Sequence, residues 1–237
     1  MRERTRWLIV FIFATAMAWM ESATVVYLRT LVGRIEPHQA NPLPVSVGLG
    51  QTEIIREAAT LIMLLTVGLL AGRTWRSRVS YTLIAFGVWD IFYYLFLAVI
   101  TSWPRSVMDW DVLFLIPLPW WGPVIAPVLI ATLMVIGGSL VSRFDQPARP
   151  IWPARWTWLF NLSGVVLALY AFMADAIRMA SDGVDAVRKL LPTTFNWPLF
   201  IIALALMAVP ILDVSRKIWM RGVNESTTEK RITQLSQ

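Results

Sequence analysis

TEIIREAATLIMLLTVGLLAG, residues Thr52 to Gly72, is the stretch whose reading decides the fold. After Glu57 it carries no charge until Arg73. Its length matches the roughly 20 residues a helix needs to cross the hydrocarbon core of a bilayer. Its first turns hold Glu53, Arg56 and Glu57. On a soluble helix those charges would be ordinary first-turn decoration. Here at least Glu57 enters below the lipid headgroups, where an ionisable side chain needs a partner, a cavity or a ligand and marks a candidate functional site.

The rest of the chain repeats the pattern. Of its 237 residues 57% are hydrophobic and only 15% charged, with a mean hydropathy of +0.61. A soluble domain carries charge on about a quarter of its residues. The expected class is therefore all-α, a polytopic helical membrane protein with about six transmembrane helices. They are expected near Trp7–Val32, Thr52–Gly72, Val79–Thr101, Val124–Ser142, Trp156–Ala180 and Trp197–Trp219.

The basic tip MRERTR and the run after it also fit a signal peptide, with Ala14-Thr15-Ala16 as a cleavage site. The run continues past Glu21 to Val32, so an uncleaved first helix is expected. Residues 1–219 form one transmembrane domain, and residues 220–237 a polar, disordered cytoplasmic tail. Prolines and glycines in Gly33–Gln51 predict a loop. AVRKLL, within the Ser181–Asn196 connector, is a candidate interfacial helix. Between the third and fourth helices lies VLFLIPLPWWGPVIAP, with Pro117, Pro119, Gly122, Pro123 and Pro127. Proline lacks a backbone donor and clashes with the preceding turn, so no regular helix survives there. Irregular backbone at membrane depth needs cover from protein or a water-filled cavity. Trp110–Trp121 is thus expected as a re-entrant or interfacial segment. The first three helices share no residue pattern with the last three, which gives no support to an inverted-repeat transporter.

Charge gives the topology. Fourteen of the 21 Lys and Arg residues fall in the tip, the second and fourth loops and the tail. Cytoplasmic loops carry the Lys/Arg excess, so both termini are expected inside, in the bacterial inner (cytoplasmic) membrane. The same asymmetry accounts for the net charge of +6 without nucleic acid as a partner. There is no cysteine and one histidine, His38, read as a solvated loop residue. That excludes disulfides, iron–sulfur clusters, Cys-based zinc sites and a bis-histidine haem within one copy.

A rise of about 1.5 Å per residue then sets depths. Glu21 falls about two-thirds of the way across, Glu57 about two turns in from the outer face, and Asp90 near the middle. Asp109 and Asp111 fall at the outer rim, and Asp175 near the outer end of the fifth helix. Arg29, Arg56 and Arg178 share that half. Only Asp213 lies clearly inward, beside Arg216 and Lys217. Glu53 and Glu57 stand on one helix face, while Glu53–Arg56 and Asp175–Arg178 are i,i+3 pairs. Asp90 shares a face with Tyr93 and Tyr94. Taken singly, Glu53, Asp109 and Arg105 read as solvated rim charges. The thirteen tryptophans are mostly an interfacial belt, with Trp120 and Trp121 placed to line a pocket beside the proline break.

Two readings of this outer layer stand side by side: acids and arginines paired to lock helices together, or a pocket that binds or moves something. Excess carboxylate with tyrosine hydroxyls suits a proton or a hard cation and disfavours zinc or copper. No resident metal or cofactor is expected. No nucleophile–base motif, phosphate loop or dinucleotide fingerprint is present.

WMESATVVYLR, EIIREAATLIML, WDIFYY and DWDVLFLIPLPWWGPV together resemble a family of bacterial polytopic membrane proteins over roughly the first 140 residues. The resemblance implies a membrane location and carries over no activity. A small permease or proton/cation-coupled transporter is the function the residues favour. The alternatives are a non-catalytic subunit that pairs its charges with partner membrane subunits, or an intramembrane enzyme on a lipid or isoprenoid substrate. The enzyme would use Glu57 or Asp90 as general acid/base.

Overall fold

The computed structural model describes residues 3–31, 33, 36–37, 47–115, 118–146, 148–183, 191 and 194–235, with backbone alone for 47–50 and 224–235. His38, Pro42, Pro44, Pro117 and most of AVRKLL lie outside the described residues. The elements in chain order are α1 (Glu3–Leu31), α2 (Val47–Ala71), α3 (Trp75–Thr101), β1 (Trp110–Phe114), β2 (Trp120–Pro123), α4 (Ile125–Phe144), α5 (Thr157–Met179), a 3-10 turn (Ala180–Asp182) and α6 (Trp197–Leu235). All six α-helices are long and apolar enough to cross a membrane. Large apolar side chains such as Ile12, Ile62, Leu70, Val99, Leu159 and Leu212 stay exposed on them. That is the surface of a multi-pass membrane protein, in which lipid covers what water would not.

Several boundaries differ from the expected ones, each for a local reason. α3 begins at Trp75, not Val79, because Thr74 caps it. The Thr74 hydroxyl accepts from the Ser77 amide at 3.1 Å, and the Ser77 hydroxyl accepts from the Thr74 amide at 2.9 Å. This reciprocal box starts a helix inside what reads as a loop. α2 starts at Val47, through glycines read as breakers. A glycine inside a helix costs only about 1 kcal/mol, which a long apolar helix absorbs. α6 runs unbroken through Pro210 and on to Leu235, so the tail expected to be disordered is helical almost to its end. At about 1.5 Å per residue its 39 residues reach about 58 Å, nearly twice a bilayer core of about 30 Å.

α3 is the most enclosed element. It packs against α1, α2 and α4, while α6 packs against α5 and α4. Its buried residues, from Ser77 and Tyr81 through Gly87, Val88, Trp89 and Asp90 to Leu97, run round the whole helix. Small residues let these helices approach closely, as membrane helices do. A Cβ on Gly138 of α4 would lie 2.6 Å from the Ser80 carbonyl oxygen of α3. Gly138→Leu is accordingly expected to part α3 from α4, at an overpacking cost of about 1–3 kcal/mol or more. Thermal unfolding of the detergent-purified protein measures it. Gly222→Ala, where a new Cβ meets nothing within 4 Å, should leave the transition in place.

Candidate functional site

As far as Pro123 the proline-rich stretch is strand and not helix. It folds as an antiparallel hairpin, pairing Trp110 with Pro123, Asp111 with Gly122, Val112 with Trp121 and Phe114 with Trp120. Pro119 precedes β2 and Pro123 ends it, where no ladder donor is needed, and Pro127 falls in the first turn of α4, where a helix tolerates it. Pairing satisfies backbone groups that lipid cannot. At the base, Asp109 accepts the Arg105 amide at 2.7 Å and the Ser106 amide at 3.2 Å, and its carbonyl accepts the Val124 amide at 3.0 Å. Asp109 thus closes an exposed turn.

The hairpin wedges between two groups of helices. Phe114 packs with Phe86 and Trp89 of α3, and Trp120 stacks on Phe172 of α5 at 6.3 Å. Gly122 leaves room for the same ring, since a Cβ there would lie 2.9 Å from Phe172. Trp121 is buried in the ladder and does not line an open pocket; Trp120 is half-buried among aromatic rings. Phe86 and Trp89 lie fifteen and twelve residues before the end of α3 from which the chain enters the hairpin. At the helical rise, Phe114 therefore sits about 18–22 Å along α3 from that end.

This placement brings acids of three helices to the hairpin. Just past β1, the Leu115 amide has no ladder partner and donates instead to Glu57 Oε2 of α2 at 3.2 Å. Next to Glu57 on α2, Arg56 makes a fork. Its guanidinium pairs with Glu53 Oε2 at 2.9 Å and with Glu21 of α1, while the Thr60 hydroxyl donates to the second Glu21 oxygen at 3.2 Å. These side chains are only 12–21% exposed, so Glu53 is a partner in the network and not a rim charge.

Asp111, expected at the outer rim, is wholly buried, and its surroundings include Arg29 in the last turn of α1 and, beneath that guanidinium, Trp103 just past α3. Arg29 of α1 donates to Asp111 Oδ1 at 2.9 Å, the Val112 amide donates to the same atom at 2.9 Å, and the Tyr94 hydroxyl faces the carboxyl. The Arg29 guanidinium also lies over the buried Trp103 ring, 4.5 Å from its centroid. A planar cation stacked on an aromatic face is held in orientation as well as in charge. Beside this pair stands Asp90 of α3, 8% exposed and within electrostatic range of Asp111. Its Oδ2 has no hydrogen-bond partner among the described residues. Tyr93 links the two centres, lying in the field of Arg29, Arg56, Asp90 and Asp111, and its carbonyl accepts from Ser22 of α1 at 3.0 Å.

Glu21, Glu53 and Arg56 thus form one polar cluster, with Glu57 beside it at the hairpin, and Arg29, Asp111 and Tyr94 form a second beside Asp90, with Tyr93 in the field of both. Asp175 and Arg178 join neither. They pair with each other at 2.9 Å on α5, and Arg178 is 71% exposed. Equal depth on a distant helix is not contact. No group of three or more His, Cys, Asp or Glu residues suited to a metal occurs among the described residues.

The opposite ends of the helices use acids differently. Tyr81 donates to Glu3 at 2.7 Å, and Arg6 pairs with the same carboxyl. Asp145 takes Arg76 at 2.8 Å and the Ile151 amide at 3.0 Å. Asp213 takes Lys217 and the Ala154 amide, each at 2.8 Å. There each acid closes a turn or a helix end with its own cation or donor. Around the hairpin, Arg56 takes Glu21 and Glu53 and Arg29 takes Asp111, while Glu57 and Asp90 have no ion pair among the described residues. Sequence reasoning missed Thr60, Trp103 and the Leu115 amide as partners, and Glu3 and Asp145 as anchors. Apart from the i,i+3 spacing of Glu3 and Arg6, none carries a spacing signal. Comparison with protein-family models, with curated proteins and with solved structures finds no match to this chain.

Proposed function

We propose that this is a multi-pass protein of the bacterial inner membrane, termini cytoplasmic, in which the hairpin re-enters the outer half of the bundle. Its acid-rich centre takes up protons that drive a small permease. The observation that carries the reading is the imbalance of five carboxyls, Glu21, Glu53, Glu57, Asp90 and Asp111, around Arg29 and Arg56. Desolvating an uncompensated carboxylate costs several kcal/mol even after the surroundings relax. Lipid surrounds this site, so a purely structural network would match acids to bases as the opposite end does. Carboxyls in excess accept protons in exchange for that cost, and buried acids in membrane spans recur along proton pathways. The missing three-acid cage among the described residues favours a proton over a tightly held metal ion.

The test is uptake into proteoliposomes from a mixed-metabolite solution, read by mass spectrometry under an imposed proton gradient. At least one solute should accumulate with the gradient and be lost when a protonophore is added. Proteoliposomes that hold folded protein and accumulate nothing under proton, sodium or potassium gradients would contradict the reading.

A further inference from the structure

Resting on the proton reading above, we propose that Asp90 is the carboxyl that takes up and returns the proton, with the neutral Arg29–Asp111 ion pair fixed beside it. The other acids of the centre are already engaged. Both oxygens of Glu21 are held, by Arg56 and Thr60. Glu53 Oε2 is held by the Arg56 fork. Glu57 Oε2 carries the Leu115 amide, so proton traffic there would compete with the backbone of the hairpin. Asp111 Oδ1 accepts from Arg29 and Val112, and Tyr94 faces its carboxyl. Asp111 Oδ2 also lacks a hydrogen-bond partner, but its Oδ1 is held twice; Asp90 is the buried acid of the group that has neither a hydrogen bond nor an ion pair among the described residues.

Its surroundings suit a neutralisable group. The hairpin presents Asp111 to it, and its own helix presents Tyr93 and Tyr94. Both tyrosines lie in the field of Arg29 from α1 and Tyr93 also in that of Arg56 from α2, while Glu21 and Glu57 from the same two helices are bound as above. The one titratable residue on α4 is Arg143, in its last turn at the far end. Asp90, Asp111 and Arg29 therefore carry one negative charge when both acids are ionised and none when one proton is added. The step is balanced without any other reactant: water on one side supplies the proton to Asp90 Oδ2, and water on the other side receives it. No covalent bond among heavy atoms changes. Asp111, held by a stacked guanidinium, keeps its place through the cycle, so only one group changes charge.

The experiment is infrared difference spectroscopy of the full chain in lipid nanodiscs between alkaline and acidic buffer, repeated in D2O. Wild type should show a carboxylic-acid carbonyl band that shifts in D2O. Asp90→Asn should remove that band and lower gradient-driven uptake to the level of empty liposomes. Asp175→Asn, on an ion pair outside the centre, should leave both unchanged. If Asp90→Asn fails to fold, Asp90→Glu decides instead, since a retained but displaced band identifies the same position. A band that survives Asp90→Asn unchanged and disappears in Glu57→Gln or Asp111→Asn overturns the assignment to Asp90 while leaving the proton reading standing. Gradient-driven uptake in wild type without any such band overturns it too. No band and no uptake removes the proton reading itself.

Discussion

Arg56→Ala is expected to destabilise the protein by about 3–5 kcal/mol, among the largest effects of any single substitution. The guanidinium serves two carboxyls on different helices, Glu53 on α2 and Glu21 on α1. Removing it leaves both facing one another, with Glu57 one turn away on the same face. None of the three is solvated well enough to stand alone, since Glu21 and Glu53 are at most 18% exposed and Glu57 is 8% exposed. Breaking one side of a buried pair costs more than the pair is worth, because the remaining charge stays uncompensated. Arg56→Lys should recover only part of the loss, because an ammonium cannot span two acceptors as a planar fork does. The thermal midpoint of the purified protein reads both variants, and Glu21→Gln combined with Arg56→Met should lie closer to wild type than Arg56→Ala. Unfolding transitions of wild type and Arg56→Ala that coincide would show the fork to be without structural weight.

Arg29→Ala carries an effect of similar size, about 3–5 kcal/mol, with a different readout. Asp111 is fully buried and Arg29 is its cation, so the change strands a carboxylate inside the hairpin. It also strips the cover from Trp103, which adds a lost cation–π contact of about 0.5–2 kcal/mol. The damage should be local first. Backbone amides of residues 110–123 should exchange with deuterium faster, while those in the middle of α5 and α6 keep their protection. Arg29→Met with Asp111→Leu should restore much of the protection, because an apolar pair of similar volume removes the stranded charge. Uniform loss of protection along every helix would mean that the pair holds the whole bundle and not the hairpin.

The chain declares its helices openly and its site only in part. Six apolar runs of bilayer length need no partner information, so α1 to α6 are legible from hydropathy alone. Their ends are not, because Thr74 and Ser77 act through a reciprocal cap inside a basic turn that reads as a loop. Arg56 and Glu53 are legible from i,i+3 spacing, and Glu57 from its depth. The burial of Asp111 is not, because the groups that cover it lie far away in the chain. A strand advances about 3.3 Å per residue, twice the helical rise, and a hairpin folds back to bring its residues down beside helices that precede it. Asp175 and Arg178 show the converse error, a correct pair assigned to a centre it does not touch, because depth says nothing about azimuth around the bundle. The proline cluster pointed to a broken segment correctly, but where prolines sit relative to strand ends decides between irregular chain and hairpin. That choice depends on the aromatic surface the segment finds, namely Phe86, Trp89 and Phe172.

The proposed proton uptake requires the hairpin to carry the Leu115 amide down among the helices, to the level of Glu57. The chain has no cysteine, so a single spin label on Leu118→Cys, in the connection between the strands, reports depth without background. Power saturation in nanodiscs should show that label shielded from an aqueous nickel reagent, and far more so than a label at Val107, which is exposed before the hairpin base. Equal nickel access at positions 118 and 107 would place the hairpin on the membrane surface and contradict the proposed uptake.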